Sequence, residues 1–123
     1  MSWQYVQTTG ELYFNDEFIA TGYSGKAEYK NKPKMQHMKS LGPIPRGEYK
    51  IHNPRRSDRT GPYVLPVTPV GHGAYNRTDF QIHGDSIKNP GAASSGCIIM
   101  QRSIREKIWN SGVRKLIVIE ARD

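Results

Sequence analysis

The sequence predicts a mainly β domain, sandwich- or barrel-like, with one short α-helix near residues 103–110. Short runs alternate apolar with polar residues, and the 12 glycines and 8 prolines recur between these runs. Only one segment has apolar residues at helical spacing. No linker, repeat or low-complexity stretch divides the 123 residues, so we expect a single domain over 1–123.

The N-terminal third predicts a short meander. Residues 3–7 alternate aromatic or branched side chains with polar ones, and residues 8–10 supply a turn. Residues 12–14 and 18–20 flank Asn15-Asp16, a favourable two-residue pair for a β-hairpin. We therefore expect three consecutive strands within residues 3–20.

The middle of the chain predicts one long surface loop followed by separate strands. The loop covers residues 26–41, which are polar and basic. Short alternating runs then predict strands at residues 46–52, 63–67 and 79–83. Proline and glycine recur every few residues between them, as a β-rich domain requires.

The predicted helix begins at a capping box formed by Ser103 and Glu106. Ile104 and Ile108 share one face, and residues 110–112 close the helix with a glycine. The apolar run at residues 116–119 then predicts a strand buried on both faces.

Charge and composition restrict the partners. Eighteen basic against 11 acidic residues give a net charge of +7, which favours a polyanion such as nucleic acid, anionic lipid or an acidic wall polymer. No apolar run approaches about 18 residues, so we expect no membrane span. The first residues lack a basic and apolar leader, so we expect no signal peptide. The lone cysteine excludes an internal disulfide.

The most informative segment runs from the predicted strand ending at His83 to Cys97. A small, flexible stretch at residues 89–93 allows the chain to fold back beside that strand end. Gly96 permits close approach of the backbone to a ligand, and Ile98 anchors the residues after the thiol in the core. This arrangement predicts that the imidazole and the thiol lie within hydrogen-bond reach.

That proximity matters because a thiolate, not a thiol, attacks carbonyl groups. A neighbouring imidazole converts the thiol to a thiolate–imidazolium pair, and backbone N–H groups of the glycine- and serine-rich loop can form an oxyanion hole. A lone cysteine before two isoleucines is more often a packed core residue. The joint pattern of His83-Gly84-Asp85 and the loop ending at Cys97 favours catalysis over that alternative.

Two motifs carry a family resemblance. His83-Gly84 followed by Ser94-Ser95-Gly96-Cys97-Ile98 resembles the signature of L,D-transpeptidases, and residues 42–51 resemble the proline-glycine segment of their catalytic domain. Residues 22–25, 31–33, 61–63 and 97–100 are similar to a short branch, the L,D-transpeptidase effectors of type VI secretion. Ser95 and Ile99 stand where housekeeping enzymes often carry His or Arg, which argues against a housekeeping cross-linking role.

The resemblance implies a cysteine enzyme that needs no cofactor. Cys97 would be the nucleophile and His83 the general base, and the positioning or oxyanion residues would be Gly96, Ser95, Ser94 and Gly84. The substrate would be a peptidoglycan tetrapeptide stem, handled by L,D-carboxypeptidase or D-amino-acid exchange chemistry. Such a toxin would be made without a signal peptide, be delivered by type VI machinery to the periplasm of rival bacteria, and meet an immunity protein in the producer.

Further candidates have weaker signals. Arg55, Arg56 and Arg59 form a cluster that is either solvated surface or a carboxylate-binding group. Tyr23 and Tyr63 either line the stem groove or pack in the core. The substrate-binding candidates are Tyr23, Arg46, Arg55, Tyr63 and Asp85.

Three alternatives have specific objections. A zinc site at His72, Asp79 and His83 lacks a further downstream histidine, so we expect no metal. Papain-like wall hydrolases place cysteine before histidine, the reverse of the order here. A small basic β-domain that binds nucleic acid or a cell-wall polymer is the non-enzymatic alternative. The basic residues are scattered and do not interleave with aromatics, so we expect no nucleic-acid partner.

Overall fold

The computed structural model describes residues 1–122 and confirms the mainly β fold with one short α-helix. Its strands are β1 Trp3–Val6, β2 Glu11–Phe14, β3 Glu17–Thr21, β4 Tyr23–Ser24, β5 Gly47–Ile51, β6 Arg55–Ser57, β7 Gly61–Val70, β8 Gln81–His83, β9 Ile98–Ile99 and β10 Lys115–Ile119. The helix α1 covers Arg102–Asn110, and single 3-10 turns occur at Ala27–Tyr29, Pro33–Met35 and Ala74–Asn76.

The strands form one mixed sheet in the order β3-β2-β1-β10-β5-β7-β8-β9-β4, with β6 paired beside β7. Two neighbouring pairs are parallel, β1 with β10 and β8 with β9, and the other pairs are antiparallel. A parallel pair requires a long connection. The β8–β9 connection contains the segment from Gly84 to Cys97, so the topology brings both ends of that segment together.

The hairpin at Asn15-Asp16 is confirmed. Both residues have positive φ, 48° and 70°, as a type I′ turn requires, and β2 pairs with β3 across it. Asn15 also accepts a hydrogen bond from the Ser2 backbone N–H through Oδ1 at 3.1 Å, which ties the turn to the start of β1.

The prediction of a capping box at Ser103 and Glu106 is wrong. The N-cap is Gln101, which is extended and makes no side-chain cap bond, and Ser103 already lies inside the first helical turn. The reason is long-range, because the Met100 N–H donates to the His83 carbonyl at the end of the β8–β9 pairing, and the chain enters α1 one residue later. Glu106 pairs instead with Arg102, Nε to Oε2 at 3.2 Å. The predicted C-terminal stop is confirmed, since Gly112 has φ +77°.

Two other expectations need correction. The segment 26–41 is not wholly a surface loop, because it contains two 3-10 turns and the buried side chain of Gln36. Gln36 Oε1 accepts the Arg46 backbone N–H at 2.9 Å, so the segment is fastened to the start of β5. β10 is not buried on both faces, since Leu116 and Val118 are buried and the alternate residues are only half-buried.

The hydrophobic core lies under the sheet and against α1. Its largest fully buried apolar side chains are Trp3, Tyr5, Leu12, Ile44, Tyr49, Ile51, Leu65, Ile82, Ile98, Ile108 and Leu116. Ile82 and Ile98 belong to this core and are register partners on β8 and β9. The residues that follow Ile82 and precede Ile98 are therefore held on a packed base. In the described chain, no helix combines the length and apolarity that crossing a membrane demands.

Candidate active site

The strand register places Cys97 and His83 on the same side of the sheet. Ile82 pairs with Ile98 and His83 with Ile99, so Cys97, one residue before β9, is level with Gln81. Residues two apart share a face of a strand, and paired residues of parallel strands point the same way. Thiol and imidazole therefore lie diagonally across neighbouring strands, with Cα atoms about 8 Å apart by strand geometry.

Two cavities meet at the thiol. One, of about 370 Å³, is lined by Arg59, Thr60, His83, Gly84, Asp85, Ser86, Ala92, Ala93, Ser95 and Cys97. The other, of about 180 Å³, is lined by Lys39, Ser40, Arg59, Arg77, Thr78, Asp79, Phe80, Ser95, Gly96 and Cys97. Cys97 is 9% exposed, yet it lines both cavities. A ligand can therefore reach the thiol from two sides.

His83 is held as a neutral base. Its Nδ1 lies 2.9 Å from the Gly84 carbonyl, and because a carbonyl only accepts, Nδ1 carries the proton and Nε2 is the free base. Burial lowers the pKa of His83, the Gly84 hydrogen bond opposes that change, and the charges of Arg105 and Arg59 lower the pKa further. The ring is 3% exposed, so its orientation is fixed by packing as well as by this bond.

Cys97 is held as a neutral thiol. Burial raises the pKa of Cys97, against the lowering effect of the Gln81 backbone N–H and of the charges of Arg59 and Arg77. Its Sγ donates to the Asp79 carbonyl at 3.7 Å, and within residues 1–122 no hydrogen bond joins Sγ to the imidazole. Burial therefore favours the uncharged form of both groups, and the thiolate–imidazolium pair stays a prediction.

Ser94 organises the loop that carries the thiol. Its buried Oγ accepts the N–H groups of Gly25 at 3.0 Å and Gly96 at 3.1 Å, and donates to the Cys97 carbonyl at 2.6 Å. Ser24 adds a second tie, because its Oγ accepts the Ile44 N–H at 2.8 Å and donates to the Gly96 carbonyl at 3.3 Å. The two sequence motifs, residues 42–51 and 94–97, are therefore joined through a serine of β4.

Gly96 is required for a close approach. Its φ is +135°, and a Cβ there would lie 2.1 Å from Nη2 of Arg77. Arg77 is buried and donates to the carbonyls of Gly42, Pro43 and Gln36. Its charge faces Cys97 from the smaller cavity. The sequence analysis missed Arg77, whose burial depends on carbonyl groups 34 to 41 residues away along the chain.

Two of the residues expected for positioning or oxyanion binding, Ser94 and Gly96, are engaged within the loop. The Gly96 N–H already donates to the Ser94 hydroxyl, and that hydroxyl donates to the Cys97 carbonyl. Both residues therefore position the loop. In the described chain, the backbone N–H groups of Ser95 and Cys97 have no partner. Ser95 is exposed and lines both cavities. These two N–H groups are the available donors beside the thiol.

Tyr23 and Asp85 fasten the loop between His83 and Cys97. The Tyr23 hydroxyl donates to Asp85 Oδ1 at 2.6 Å and accepts the Ala93 N–H at 2.9 Å. Asp85 also accepts the N–H groups of Ser86 and Gly91. Desolvation opposes ionisation of Asp85, but these hydrogen bonds hold its pKa below the usual value. Both residues thus act within the protein, although each borders a cavity.

Three substrate-binding candidates lie away from the two thiol cavities. Arg46 forms an ion pair with Glu120, Nη1 to Oε1 at 2.7 Å. Tyr63 stacks under Arg102, with 4.8 Å between the guanidinium carbon and the ring centre. Arg55 is exposed on β6 and lines neither cavity.

Of the clustered Arg55, Arg56 and Arg59, Arg59 is the one that borders the two thiol cavities. It lies in the turn between β6 and β7 and lines both cavities. The adjacent Thr60 fastens this turn to β8, its Oγ1 donating to Gln81 Oε1 at 2.8 Å. The three clustered arginines are indistinguishable in sequence, and only the turn decides which one faces the site.

The histidine considered for zinc has other partners. His72 Nδ1 accepts the Ala74 N–H at 3.2 Å, so Nε2 carries the proton and donates to the Glu48 carbonyl at 3.0 Å. No group of three or more His, Cys, Asp or Glu residues within 1–122 is arranged to hold a metal ion.

A β-rich domain that presents a cysteine and a neutral histidine in one cavity has the framework of cysteine-dependent acyl-transfer enzymes. A family model for the Tlde1 domain matches residues 19–121. The chain belongs to this family, the L,D-transpeptidase effector family of type VI secretion. No curated protein matches the chain.

Proposed function

We propose that this chain is a peptidoglycan-modifying cysteine enzyme that acts on tetrapeptide stems. The observation that carries the proposal is the cavity lined by both Cys97 and His83, in which the Gly84 carbonyl holds Nδ1–H and leaves Nε2 free. The reaction is L,D-carboxypeptidase cleavage, D-amino-acid exchange, or both. Family membership supports the reaction class, and the substrate and the catalytic steps are the proposal.

The first half of the reaction forms an acyl-enzyme. His83 Nε2 takes the Cys97 proton as Sγ attacks the carbonyl carbon that joins diaminopimelate to D-alanine. The N–H groups of Ser95 and Cys97 stabilise the negative oxygen of the tetrahedral intermediate. The C–N bond then breaks, His83 returns the proton to the departing amine, and a thioester remains on Cys97.

The second half releases the stem. Water, or the amine of a free D-amino acid, attacks the thioester carbonyl while Nε2 accepts its proton. The C–S bond breaks and the proton returns to sulfur, so the neutral pair is restored. Since burial favours the uncharged form of both groups, the proton must leave Sγ for Nε2 before or during the attack.

The biological role follows from this chemistry. Removing or exchanging the terminal D-alanine depletes donor stems for cross-links, so an effector delivered to the periplasm of a rival cell would weaken its wall. Type VI machinery would deliver it, and an immunity protein would protect the producer. Periplasmic targeting of the wild type should lyse bacteria, whereas cytoplasmic expression or targeting of Cys97→Ala should not.

Mass spectrometry of purified tetrapeptide muropeptides, incubated with and without D-methionine, tests the reaction directly. We expect tripeptide products without the added amino acid and D-methionine-terminated stems with it. Cys97→Ala should form neither product, while its far-ultraviolet circular dichroism and melting temperature match the wild type. Wild-type product formation by Cys97→Ala would overturn the mechanism.

A further inference from the structure

A third cavity, of about 410 Å³, lies across Gly84 from the imidazole and is bordered by Tyr23, Gly84, Asp85, Gln101, Arg102 and Arg105. We call it the Arg105 cavity. Gly84 and Asp85 also line the cavity that contains His83, so the two share a wall. A peptide that crosses Gly84 can therefore enter both.

Arg105 is buried in this cavity with unused hydrogen-bond donors. Its side chain is 6% exposed, and Nη1 donates to the carbonyls of Pro62 at 3.1 Å and Tyr63 at 2.8 Å. Among the described residues, neither Nε nor Nη2 donates a hydrogen bond, and Nε is fully buried. A buried guanidinium normally has all its donors satisfied. Nε lies too deep for a ligand to contact directly, whereas Nη2 keeps accessible surface and is the donor that a ligand in the cavity can reach.

The closest carboxylates of the chain do not meet that requirement. Asp85 borders the cavity, but its oxygens accept from Tyr23, Ser86 and Gly91. Glu106 pairs with Arg102 rather than with Arg105. The positive charge of Arg105 is therefore left without an ion-pair partner within residues 1–122.

We propose that the Arg105 cavity binds a carboxylate of the peptide substrate, with Arg105 as the buried donor and Arg102 at the rim. The proposal rests on the proposed function for the identity of the ligand, since peptidoglycan stems carry carboxylates near the scissile bond. Gly84 makes the approach feasible, because a Cβ there would lie 2.9 Å from Arg105 Nη2. A guanidinium matches a carboxylate in shape and charge.

Occupancy of this site also affects the base. The charge of Arg105 lowers the pKa of His83, as does Arg59, while Asp85 raises it. A bound carboxylate offsets the charge of Arg105, so the His83 pKa rises when the site is filled. The imidazole thus becomes a stronger base when the correct substrate is present.

Nuclear magnetic resonance of the inert Cys97→Ala protein tests binding without turnover. Sodium acetate is titrated as the probe and acetamide as its neutral counterpart. We expect saturable shifts of the Arg105 Nε–H and Gly84 N–H signals with acetate only, and a raised His83 titration midpoint. The Gly84 N–H shift and the rise in the His83 titration midpoint should disappear in a background carrying Arg105→Gln, and should weaken in Arg105→Lys if the glutamine variant does not fold. Equal shifts with acetamide, or none with acetate, would overturn the proposal.

Steady-state kinetics of the active protein provide a second test of the Arg105 cavity. Arg105→Lys should raise KM for the tetrapeptide about tenfold, the cost of a lost charge-assisted contact, with a smaller change in kcat. Lys107→Gln removes a charge from the exposed side of the same helix and should change KM less than twofold. An unchanged KM in Arg105→Lys would overturn the proposal. If Cys97→Ala shows the acetate-dependent shifts but the wild type releases no D-alanine from the tetrapeptide, the anion site is supported and the proposed function is overturned.

Discussion

The centre of the sheet and the end that carries the candidate site, here called the site end, are held together by different forces. Around β1, β10 and β5, strands of four or five residues form long ladders, and Leu116 and Tyr49 are fully buried register partners beneath them. Around β8, β9 and β4, strands have only two or three residues. There the serines Ser24 and Ser94, with Tyr23, supply the hydrogen bonds that a longer ladder would provide. Short strands leave backbone groups free for a ligand, so side chains must position the site.

The largest expected effect tests whether the site end carries the chemistry. His83→Ala should lower kcat/KM for D-alanine release about a thousandfold, because a positioned general base contributes about 10²–10⁴ to rate. His37→Ala removes an exposed imidazole elsewhere and should change kcat/KM less than twofold. Retention of more than about a tenth of wild-type activity by His83→Ala would contradict the assigned base.

Removing one buried hydroxyl should damage the site end in both stability and rate. Ser94→Ala leaves two N–H donors and one carbonyl without their partner. We expect a loss of about 2–4 kcal/mol in the free energy of unfolding, since each unsatisfied buried group costs about 1–3 kcal/mol. The folded variant should also lose at least about tenfold in kcat/KM, because Cys97 is displaced. Urea unfolding and steady-state kinetics measure the two effects.

The matched change at the centre of the sheet sharpens the comparison. Leu116→Ala should cost about 2–5 kcal/mol in the free energy of unfolding, as truncation of a fully buried leucine does. Its kcat/KM per folded molecule should stay within about twofold of wild type at low temperature. A rate loss equal to that of Ser94→Ala would show that the centre of the sheet and the site end are not mechanically separate.

The pH dependence separates a neutral resting pair from an ion pair. The His83 pKa lies below its ordinary value of 6.5 and the Cys97 pKa above its ordinary value of 9.0, both mainly through burial. Activity needs a neutral imidazole, so kcat/KM should rise with pH below about 6.5 and stay level up to about 9. The iodoacetamide reaction rate should increase above pH 9, where thiolate forms. A fast, level alkylation rate between about pH 5 and 8 would indicate a preformed thiolate.

The smallest expected effect concerns α1. Ser103 makes no cap bond, so Ser103→Ala should change the free energy of unfolding by less than about 0.5 kcal/mol. A true capping box would lose about 1 kcal/mol on the same substitution. Thermal or urea unfolding measures this variant beside Ser94→Ala. The comparison sets a serine without a cap bond against a serine whose hydroxyl holds the thiol loop.

Features that depend on a few adjacent residues could be predicted from sequence. Asn15-Asp16 marked the hairpin because few residue pairs tolerate two positive φ values, and Gly112 marked the end of the helix for the same kind of reason. The pattern from His83 to Cys97 placed both groups at one cavity, since a strand end and a returning loop are local information. Their catalytic roles remain predictions.

Features set by distant parts of the chain could not be predicted. The helix start depends on where β9 stops pairing with β8, which no capping rule contains. Arg77 and Arg105 are buried because carbonyl groups far along the chain accept from them, yet both look like surface charges in sequence. The neutral state of Cys97 and His83 likewise depends on the depth of their burial, a property of the assembled sheet.

The parallel pairing of β1 with β10 has a consequence for how the protein is made. Trp3 lies opposite Leu116, so strands separated by more than a hundred residues must meet before the centre of the sheet exists. A ribosome therefore releases β1 long before its partner is synthesised, and the nascent chain carries an unpaired edge in the meantime. Folding should accordingly be late and slow, dominated by the entropy of closing that long loop.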